Sequence, residues 1–200
     1  MKRLVLVLCA LIFSQVQAAE KEIAAGELYP RVAFHTSLGT MVFELNRNRA
    51  PITVNRFLTL MAKGEYNNNL FHRVEPGFVA QAGGFDDKLN PLKDPAPIFN
   101  ESGNGLKNAL GTIALARMTD PHSGTRQFFF NLNDNTHLDP GRRWGYTVFG
   151  TIVEGEEILD KFDQVETHFD EQLGLDNVPK QTIVLKKVEL VELNQEIPQT

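Results

Sequence analysis

The sequence predicts a mainly β domain, either an antiparallel barrel or a sandwich, and three observations support this class. Apolar and polar residues alternate through most of the chain from residue 31 onward, which is the period of half-buried strands. Segments with a helical period are few, and the sequence lacks the βαβ rhythm of a parallel sheet. The 200 residues, 42% hydrophobic and 22% charged, suit a single globular domain.

Residues 1–18 predict a secretory signal peptide that is not part of this domain. Lys2 and Arg3 form a basic start, and residues 4–13 form an apolar stretch too short to span a membrane. Residues 16–18, reading VQA, fit a cleavage site, so we expect cleavage after this triplet and export to the periplasm. An uncleaved membrane anchor is the alternative.

The single cysteine, Cys9, lies inside the predicted signal peptide. Leu8 precedes it, where a lipoprotein signal needs a small residue, so we expect no lipid anchor. The mature chain then has no cysteine, which excludes disulfides, thiol catalysis and cysteine-ligated metals. Removal of Lys2 and Arg3 leaves 18 basic and 25 acidic residues, a net charge of −7. This balance argues against nucleic acid or an anionic membrane as the main partner.

Beyond the signal peptide, we expect a flexible polar leader at residues 19–29, a domain at residues 30–193 and a tail at residues 194–200. The domain opens with a β-hairpin whose turn is Ser37-Leu38-Gly39. Alternation along its two strands places the apolar residues on one face. That face consists of Val32, Phe34, Met41, Phe43 and Leu45.

The later elements follow from period and from turn residues. A helix is predicted at residues 51–63, since Pro51 suits the first helical position and Gly64 suits the stop. Its core-facing stripe consists of Val54, Phe57, Leu58 and Met61. Strands are predicted at residues 111–116, 127–132, 145–153 and 182–192, with a second helix at residues 154–162. Residues 86–108 form a long loop, with a short strand at Ile98-Phe99.

The segment FHRVEPGFVAQAGG, residues 71–84, predicts two strands joined by a turn at Glu75-Pro76-Gly77. Alternation places Phe71, Arg73 and Glu75 on one face, and His72 and Val74 on the other. After the turn, Val79 and Gln81 share a face, opposite Phe78 and Ala80. Arginine and glutamine are rarely buried without a partner, so Arg73, Phe78 and Gln81 indicate a binding groove with a fixed positive charge.

Most catalytic chemistries find no support in the sequence. There is no G-x-S-x-G motif, and the adjacent pair His122 and Ser123 is a weak candidate for a base and a nucleophile. A metal site is not expected, because the histidines are scattered without ligand spacing. They are His35, His72, His122, His137 and His168. No glycine-rich loop has a nucleotide-binding pattern, so no cofactor is expected.

The groups that remain do not titrate near neutral pH: Arg73, Gln81, Gln127, Phe78 and Phe129. Because arginine stays protonated, such groups cannot perform acid–base or covalent chemistry. They can bind a peptide and favour one bond geometry. Rotation about an X-Pro bond is a reaction of that kind, with a barrier of about 18–20 kcal/mol.

Four stretches in order identify the chain as resembling the cyclophilin family of peptidyl-prolyl cis/trans isomerases. They read FHRVEPGFVAQAGGF, NESGNGLKNALGTIALAR, QFFFNLNDNTHLD and WGYTVFG. The resemblance covers residues 29–192 and, with the signal peptide, is strongest to the periplasmic bacterial members. It implies a closed eight-stranded antiparallel β-barrel capped by two α-helices.

The resemblance also implies the site residues. The catalytic group falls on Arg73, Gln81 and Phe78, with Arg73 as the donor of a hydrogen bond to the twisting prolyl nitrogen and Gln81 as the residue that orients it. The substrate-binding residues fall on Val79, Ala116, Arg117, Met118, Gln127, Phe129, His137, Leu138 and Tyr146. Val79 replaces the usual methionine, which is a mild apolar change.

Three departures from the family pattern matter. His137 stands where many members have a tryptophan that binds cyclosporin, so weak cyclosporin binding is expected. Tyr146 replaces a histidine at the pocket. Ala82 replaces a glycine, and it would be strained if its φ were positive.

The expected substrates are proline-containing peptides and unfolded or folding secreted proteins, with no nucleic acid partner, no membrane after cleavage and a monomeric chain. Two alternatives remain: a proline-peptide binding module or holdase, and a secreted hydrolase that uses His122 and Ser123. We expect His72 to pack in the core. In the run QFFFN, either Phe128 and Phe130 face the core while Gln127 and Phe129 face the groove, or the reverse.

Overall fold

The computed structural model of this protein describes residues 23–171 and 173–191. The predicted signal peptide and the tail at residues 194–200 therefore lie outside the described residues. Of the helices in the described ranges, none is long and apolar enough to cross a membrane. The helices are α1 (Pro51–Ala62) and α2 (Glu157–Asp163). The strands are β1 (Arg31–Thr36), β2 (Thr40–Leu45), β3 (Asn69–Glu75), β4 (Val79–Asp86), β5 (Thr112–Leu115), β6 (Phe128–Asn131), β7 (Val148–Glu154), β8 (Thr167–Asp170), β9 (Leu175–Pro179) and β10 (Val184–Leu190).

Eight of the strands within the described ranges close into one antiparallel barrel, which confirms the predicted barrel and decides against a sandwich. The order around the barrel is β1-β10-β3-β4-β6-β5-β7-β2. Closure pairs each strand on both sides, so this sheet has no free edge to aggregate. Strands β8 and β9 form a separate two-stranded hairpin, and β9 packs against β3.

Aromatic rings from β1, β2 and β6 fill the barrel interior. Phe34, Phe43, Phe128 and Phe130 are fully buried, and the rings of Phe43 and Phe130 stack with centroids 4.7 Å apart. Burial of one such side chain stabilises the fold by roughly 1.5–3 kcal/mol. The inward direction of Phe128 and Phe130 therefore answers the question that the alternation of the QFFFN run left open.

Helix α1 covers one end of this core with the predicted stripe, since Val54, Phe57, Leu58 and Met61 are all buried. It ends one residue earlier than predicted, and Gly64 adopts the left-handed φ of +71° that suits a helix stop. Its first turn is capped from a distant loop: Glu101 accepts hydrogen bonds from the backbone N–H groups of Ile52 and Thr53. This carboxylate lies where the helix dipole favours negative charge.

Several element bounds differ from the prediction, including the start of β7 at Val148 rather than residue 145, and one hairpin was missed. Ile98-Phe99 does not form a strand, because Ile98 makes a backbone hydrogen bond to a loop, at Gly124 O, 2.9 Å away. Helix α2 begins three residues later than predicted, because β7 extends to Glu154 and Gly155 then turns with φ of +78°. The hairpin of β8 and β9 was missed, since its first strand buries no face and so lacks apolar alternation.

Part of the predicted leader is bonded to the barrel through Arg47. This side chain is only 7% exposed, and its guanidinium donates hydrogen bonds to the carbonyl oxygens of Ile23, Ala24 and Glu27. The guanidinium fork suits several acceptors at once. One buried arginine thus attaches residues 23–27 to the domain.

Candidate active site

The outer faces of β4, β5, β6 and β7 carry a second, smaller apolar cluster. Val79, Ala114, Phe129 and Val148 are buried in it. Further apolar side chains pack against them from the surrounding loops: Phe78, Leu106, Ala116, Leu138 and Tyr146. The strands that fill the barrel with one face therefore build an apolar surface with the other.

An open pocket of about 290 Å³ lies on this surface and brings most of the predicted site residues together. It is lined by Arg73, Phe78, Val79, Gln81, Ala116, Arg117, Phe129, Leu138 and Tyr146. An adjoining pocket of about 190 Å³ shares three of these residues and adds Met118 and Gln127. His137 is exposed and stacks on Phe78 with ring centroids 5.3 Å apart. All twelve predicted site residues thus surround one groove, although their roles remain predictions.

The predicted alternation along β3 was wrong in one respect, because this strand contains a bulge. Phe71 pairs with Ala82 and Arg73 with Gln81, so two steps along β3 face one step along β4. The extra residue changes which face later side chains occupy. Phe71 and Val74 both lie in the barrel core, whereas Arg73 lines the groove. Phe71 and Arg73 therefore do not share a face.

Arg73 lies at the edge of the groove, with 32% of its side chain exposed. Its Cζ is 5.6 Å from the centroid of the Phe78 ring, within the range of a cation–π contact. Its Nη2 donates a hydrogen bond to Glu75 Oε2 at 2.5 Å. The side-chain amide of Gln81 donates to Gln127 Oε1 at 2.9 Å. The carboxylate of Glu75, rather than Gln81, is thus the partner that holds Arg73.

Residues 82–84 are three consecutive small residues of β4, and Gly84 leaves room for Gln127. A Cβ atom on Gly84 would lie 2.8 Å from Cδ of Gln127, so glycine there allows Gln127 to lie flat against the strand. Gly83 has a φ of +89°, whereas Ala82 is not among the residues with positive φ. Ala82 is fully buried in the barrel core. Alanine in place of the family's glycine therefore introduces no backbone strain.

The opposite wall is organised by Arg117. Its guanidinium donates to the carbonyl oxygens of Gly145, Trp144 and Met118, and its Cζ lies 4.5 Å from the Tyr146 ring centroid. The Tyr146 ring in turn meets Phe129 edge to face at 5.6 Å. Arg117 is therefore held by backbone carbonyl oxygens, and its guanidinium holds the Tyr146 ring in the pocket wall.

Buried asparagines that sequence reasoning missed hold the groove from behind. Asn135 donates from Nδ2 to the carbonyl oxygen of Phe78 at 2.9 Å and to Asn131 Oδ1 at 2.8 Å. Asn100 donates from Nδ2 to Gly145 O at 3.0 Å, beside Tyr146. Asparagine-rich stretches are typical of loops, so only the position of Asn131 and Asn135 within the NLNDNTHLD stretch hinted at this role.

The carboxylate of Asp139 joins this network of buried asparagines through Asn108. Asp139 accepts hydrogen bonds from the backbone N–H and the side-chain amide of Asn108, at 2.8 and 3.1 Å. Partial burial acts to raise the pKa of Asp139, but the bonds from Asn108 and the charge of Lys107 outweigh it and lower the pKa. This carboxylate therefore stays ionised while it ties the loop before β5 to the loop after β6.

The hydrolase alternative fails on geometry. Ser123 Oγ donates its proton to Asp120 O at 2.6 Å, while His122 Nδ1 accepts the backbone N–H of Asn100. The His122 ring stacks on Phe99, with centroids 4.5 Å apart. Base and nucleophile are thus bonded to other groups. In the part of the chain that the structure describes, no group of three or more histidine, cysteine, aspartate or glutamate side chains could hold a metal ion.

His72 is buried away from the groove, as expected. It is 5% exposed, and its ring lies 4.8 Å from that of Phe85. Burial lowers the pKa of His72 to about 4, and the charge of Arg73 lowers it further, against a hydrogen bond that raises it. His72 is therefore neutral at pH 7 and takes no part in the groove.

The closed barrel carries an outer apolar pocket with a guanidinium at its edge, an arrangement that fits the predicted class of proteins that bind peptides and act on their conformation. A family profile, described as cyclophilin type peptidyl-prolyl cis-trans isomerase/CLD, matches residues 31–190. The chain therefore belongs to the cyclophilin family. This confirms the predicted family and enzyme class, a peptidyl-prolyl cis-trans isomerase.

Individual relatives agree with this membership. Peptidyl-prolyl cis-trans isomerase A of Dickeya dadantii is 41% identical over 163 residues, 80% of this chain and 84% of the relative. Peptidyl-prolyl cis-trans isomerase B of Escherichia coli is 41% identical over 166 residues, 80% of this chain and 99% of the relative. A crystal structure of a cyclophilin type isomerase from Cryptosporidium parvum superposes with a TM-score of 0.71 at 23% identity, covering 82% of this chain and 98% of that one.

Proposed function

We propose that this chain accelerates rotation about X-Pro bonds by a non-covalent mechanism in which Arg73 stabilises the twisted prolyl amide. The observation that carries the proposal is the position of Arg73. Its guanidinium lies at the rim of an apolar pocket, 5.6 Å from the Phe78 ring. A proline ring in the pocket presents its nitrogen to this rim. The relatives named above, which are isomerases of this type, support the same activity.

The X-Pro bond resists rotation because the lone pair of the prolyl nitrogen is delocalised into the carbonyl group. When the bond twists, the lone pair returns to the nitrogen, which can then accept a hydrogen bond. A guanidinium beside that nitrogen stabilises the twisted state more than either planar isomer. One charge-assisted hydrogen bond of this kind is worth about 1.5–3 kcal/mol, roughly ten- to a hundredfold in rate.

The rest of the groove holds the substrate still while the bond turns. The apolar side chains that grip the ring are Phe78, Val79, Phe129, Leu138 and Tyr146. The paired amides of Gln81 and Gln127 lie beside them and bind the peptide backbone. The backbone of residues 116–118 runs along the same side of the groove and lies against the peptide. Fixed orientation supplies the part of the rate that one hydrogen bond does not.

Substitution of Arg73 tests the proposal directly. Arg73→Ala is expected to lower the isomerisation of an Ala-Pro peptide by roughly tenfold or more, measured by exchange spectroscopy or a protease-coupled assay. An unchanged unfolding curve shows that the domain remains folded. Full turnover in the folded variant would remove Arg73 from the mechanism. Peptide binding by the wild-type chain without turnover would instead favour the holdase alternative.

We also propose the substrates of this chain and its location in the cell. The substrates are proline-containing peptides and folding secreted proteins, and the chain acts as a monomer in the periplasm after cleavage at Ala18. Cell fractionation with mass spectrometry of the mature N-terminus tests the location, and sedimentation tests the oligomeric state. We also expect weak cyclosporin binding, because the small ring of exposed His137 stacks on Phe78 where an indole stands in many relatives. Titration with cyclosporin measures it.

A further inference from the structure

The carboxylate of Glu75 is the closest charged neighbour of Arg73. Both side chains extend from the end of β3, two residues apart, so they share a face. Glu75 Oε2 accepts a hydrogen bond from Arg73 Nη2 at 2.5 Å, and the two side chains are 40% and 32% exposed. A free arginine side chain at that exposure would sample many rotamers. This ion pair selects the one that places the guanidinium beside Phe78.

A second residue reaches this pair from outside the barrel. Asn177 lies on β9, and its Nδ2 donates to Glu75 Oε2 at 3.4 Å. The backbone of Asn177 has a φ of +60°, a left-handed conformation that asparagine tolerates better than most residues. The hairpin of β8 and β9 thus contacts the groove through one amide.

The backbone that carries Glu75 is also held in place. The turn after β3 closes with a hydrogen bond from Phe78 N–H to Glu75 O at 2.9 Å. The backbone N–H of Gly77 in the same turn donates to Asp163 Oδ1, at the end of α2, at 2.5 Å. Glu75 is therefore a carboxylate on an anchored turn rather than on a free strand end.

We propose that Glu75, supported by Asn177, is a positioning residue that holds the Arg73 guanidinium at the edge of the proline pocket before substrate binds. This inference rests on the proposed function of Arg73. A guanidinium has five N–H donors, and the bond to Glu75 uses one, so the others stay available for the substrate. The rotamer freedom of Arg73 is then lost on folding rather than in the transition state. The ion pair also reduces the net charge at the guanidinium, so the benefit from Glu75 comes from orientation and not from charge.

The chain offers a matched control for this ion pair. Arg31 and Glu44 form a comparable ion pair across β1 and β2, in which Arg31 Nε and Nη2 both donate to Glu44 Oε2, at 3.1 and 3.0 Å. Their side chains are 36% and 32% exposed. Neither residue lines the proline pocket. Loss of either ion pair should have a similar effect on stability. A difference in turnover between the two variants therefore shows that the location of the Glu75 pair beside the pocket matters.

The test compares Glu75→Ala, Glu75→Gln, Asn177→Gly and Glu44→Ala with the full wild-type chain on an Ala-Pro peptide. Glu75→Ala is expected to lower kcat about three- to fivefold with KM within about twofold, the scale of an exposed ion pair whose effect falls on the transition state. Glu75→Gln keeps the acceptor oxygen and should recover part of the loss. Asn177→Gly keeps the left-handed backbone and should lower kcat about twofold, whereas Glu44→Ala should match the wild type.

Guanidinium NMR gives a readout that a purely structural role would not change. The Arg73 signals, assigned by their loss in Arg73→Lys, should show hindered rotation of the terminal nitrogens in the wild type and free rotation in Glu75→Ala. Unchanged signals and unchanged kcat in Glu75→Ala would overturn the inference, as would equal losses in Glu75→Ala and Glu44→Ala. An inactive wild type or a fully active Arg73→Ala would instead overturn the proposed function, so the two failures are distinguishable.

Discussion

The interior of the barrel and the groove outside it are built from neighbouring residues on the same strands. On β6, the ring of Phe130 points inward and stacks on Phe43 at 4.7 Å, whereas the ring of Phe129 points outward and meets Tyr146 at 5.6 Å. The inner face is filled, and the outer face leaves a pocket of about 290 Å³ open to a substrate. Substitution of an inward-facing residue is therefore expected to change stability, and substitution of its outward-facing neighbour is expected to change activity.

The largest expected effect is on the inner face. Phe130→Ala removes a fully buried ring that contacts several other rings of the core, so it should destabilise the fold by roughly 3–5 kcal/mol. Chemical unfolding measures this loss. Turnover per folded molecule should remain near the wild-type value, because Phe130 does not line the groove. A variant that is as stable as the wild type would contradict the view that the inner face of the barrel determines stability.

The buried side chain of His72, next to Arg73 in the sequence, should affect stability through pH without affecting the groove. The folded-state pKa of His72 is about 4, below its ordinary value of 6.5, so the unfolded chain binds a proton first as pH falls. Stability should thus decrease between about pH 6.5 and pH 4, by roughly 2–3 kcal/mol. Unfolding curves across this window measure the slope, and His72→Gln should remove most of it. An equal slope in the variant would assign the effect to other groups.

A milder change on the outer face should affect activity more than stability. Phe129→Leu keeps an apolar wall but removes the ring that faces Tyr146, so kcat/KM should fall roughly three- to tenfold, which is about 1 kcal/mol. The free energy of unfolding should change by less than about 1.5 kcal/mol. The peptide assay and an unfolding curve on the same sample measure both. Unaltered turnover would mean that this face of the pocket does not contact the substrate.

The smallest expected effect concerns Ala82, which faces the barrel core just before Gly83 and Gly84. Ala82→Gly restores the residue usual in the family but increases the freedom of the unfolded chain, so it should destabilise the fold by roughly 0.5–1 kcal/mol. Turnover should not rise. A more stable or faster variant would show that alanine is strained at this position after all.

Sequence patterns predicted the barrel strands well where one face is buried and the other is not. The hairpin of β1 and β2 lies where alternation placed it, and the stripe of α1 is buried as the helical period required. The strand predictions failed where the structure departs from a regular alternation of buried and exposed residues. The bulge in β3 moved Phe71 into the core, and the hairpin of β8 and β9 carries too few buried residues to leave a pattern.

The sequence by itself determined the β class, because periodic burial leaves an alternating pattern. The motifs read in order indicated the family, and the resemblance then implied the barrel and the residues that surround the groove. Only the tertiary structure decided which partner each polar group takes. Glu75 lies on β3, Asn177 on β9 and Gln127 just before β6. A hydrogen bond between such separate segments depends on distances of a few tenths of an ångström that no spacing in the chain encodes. The pairing of Arg73 with Glu75 is the clearest example.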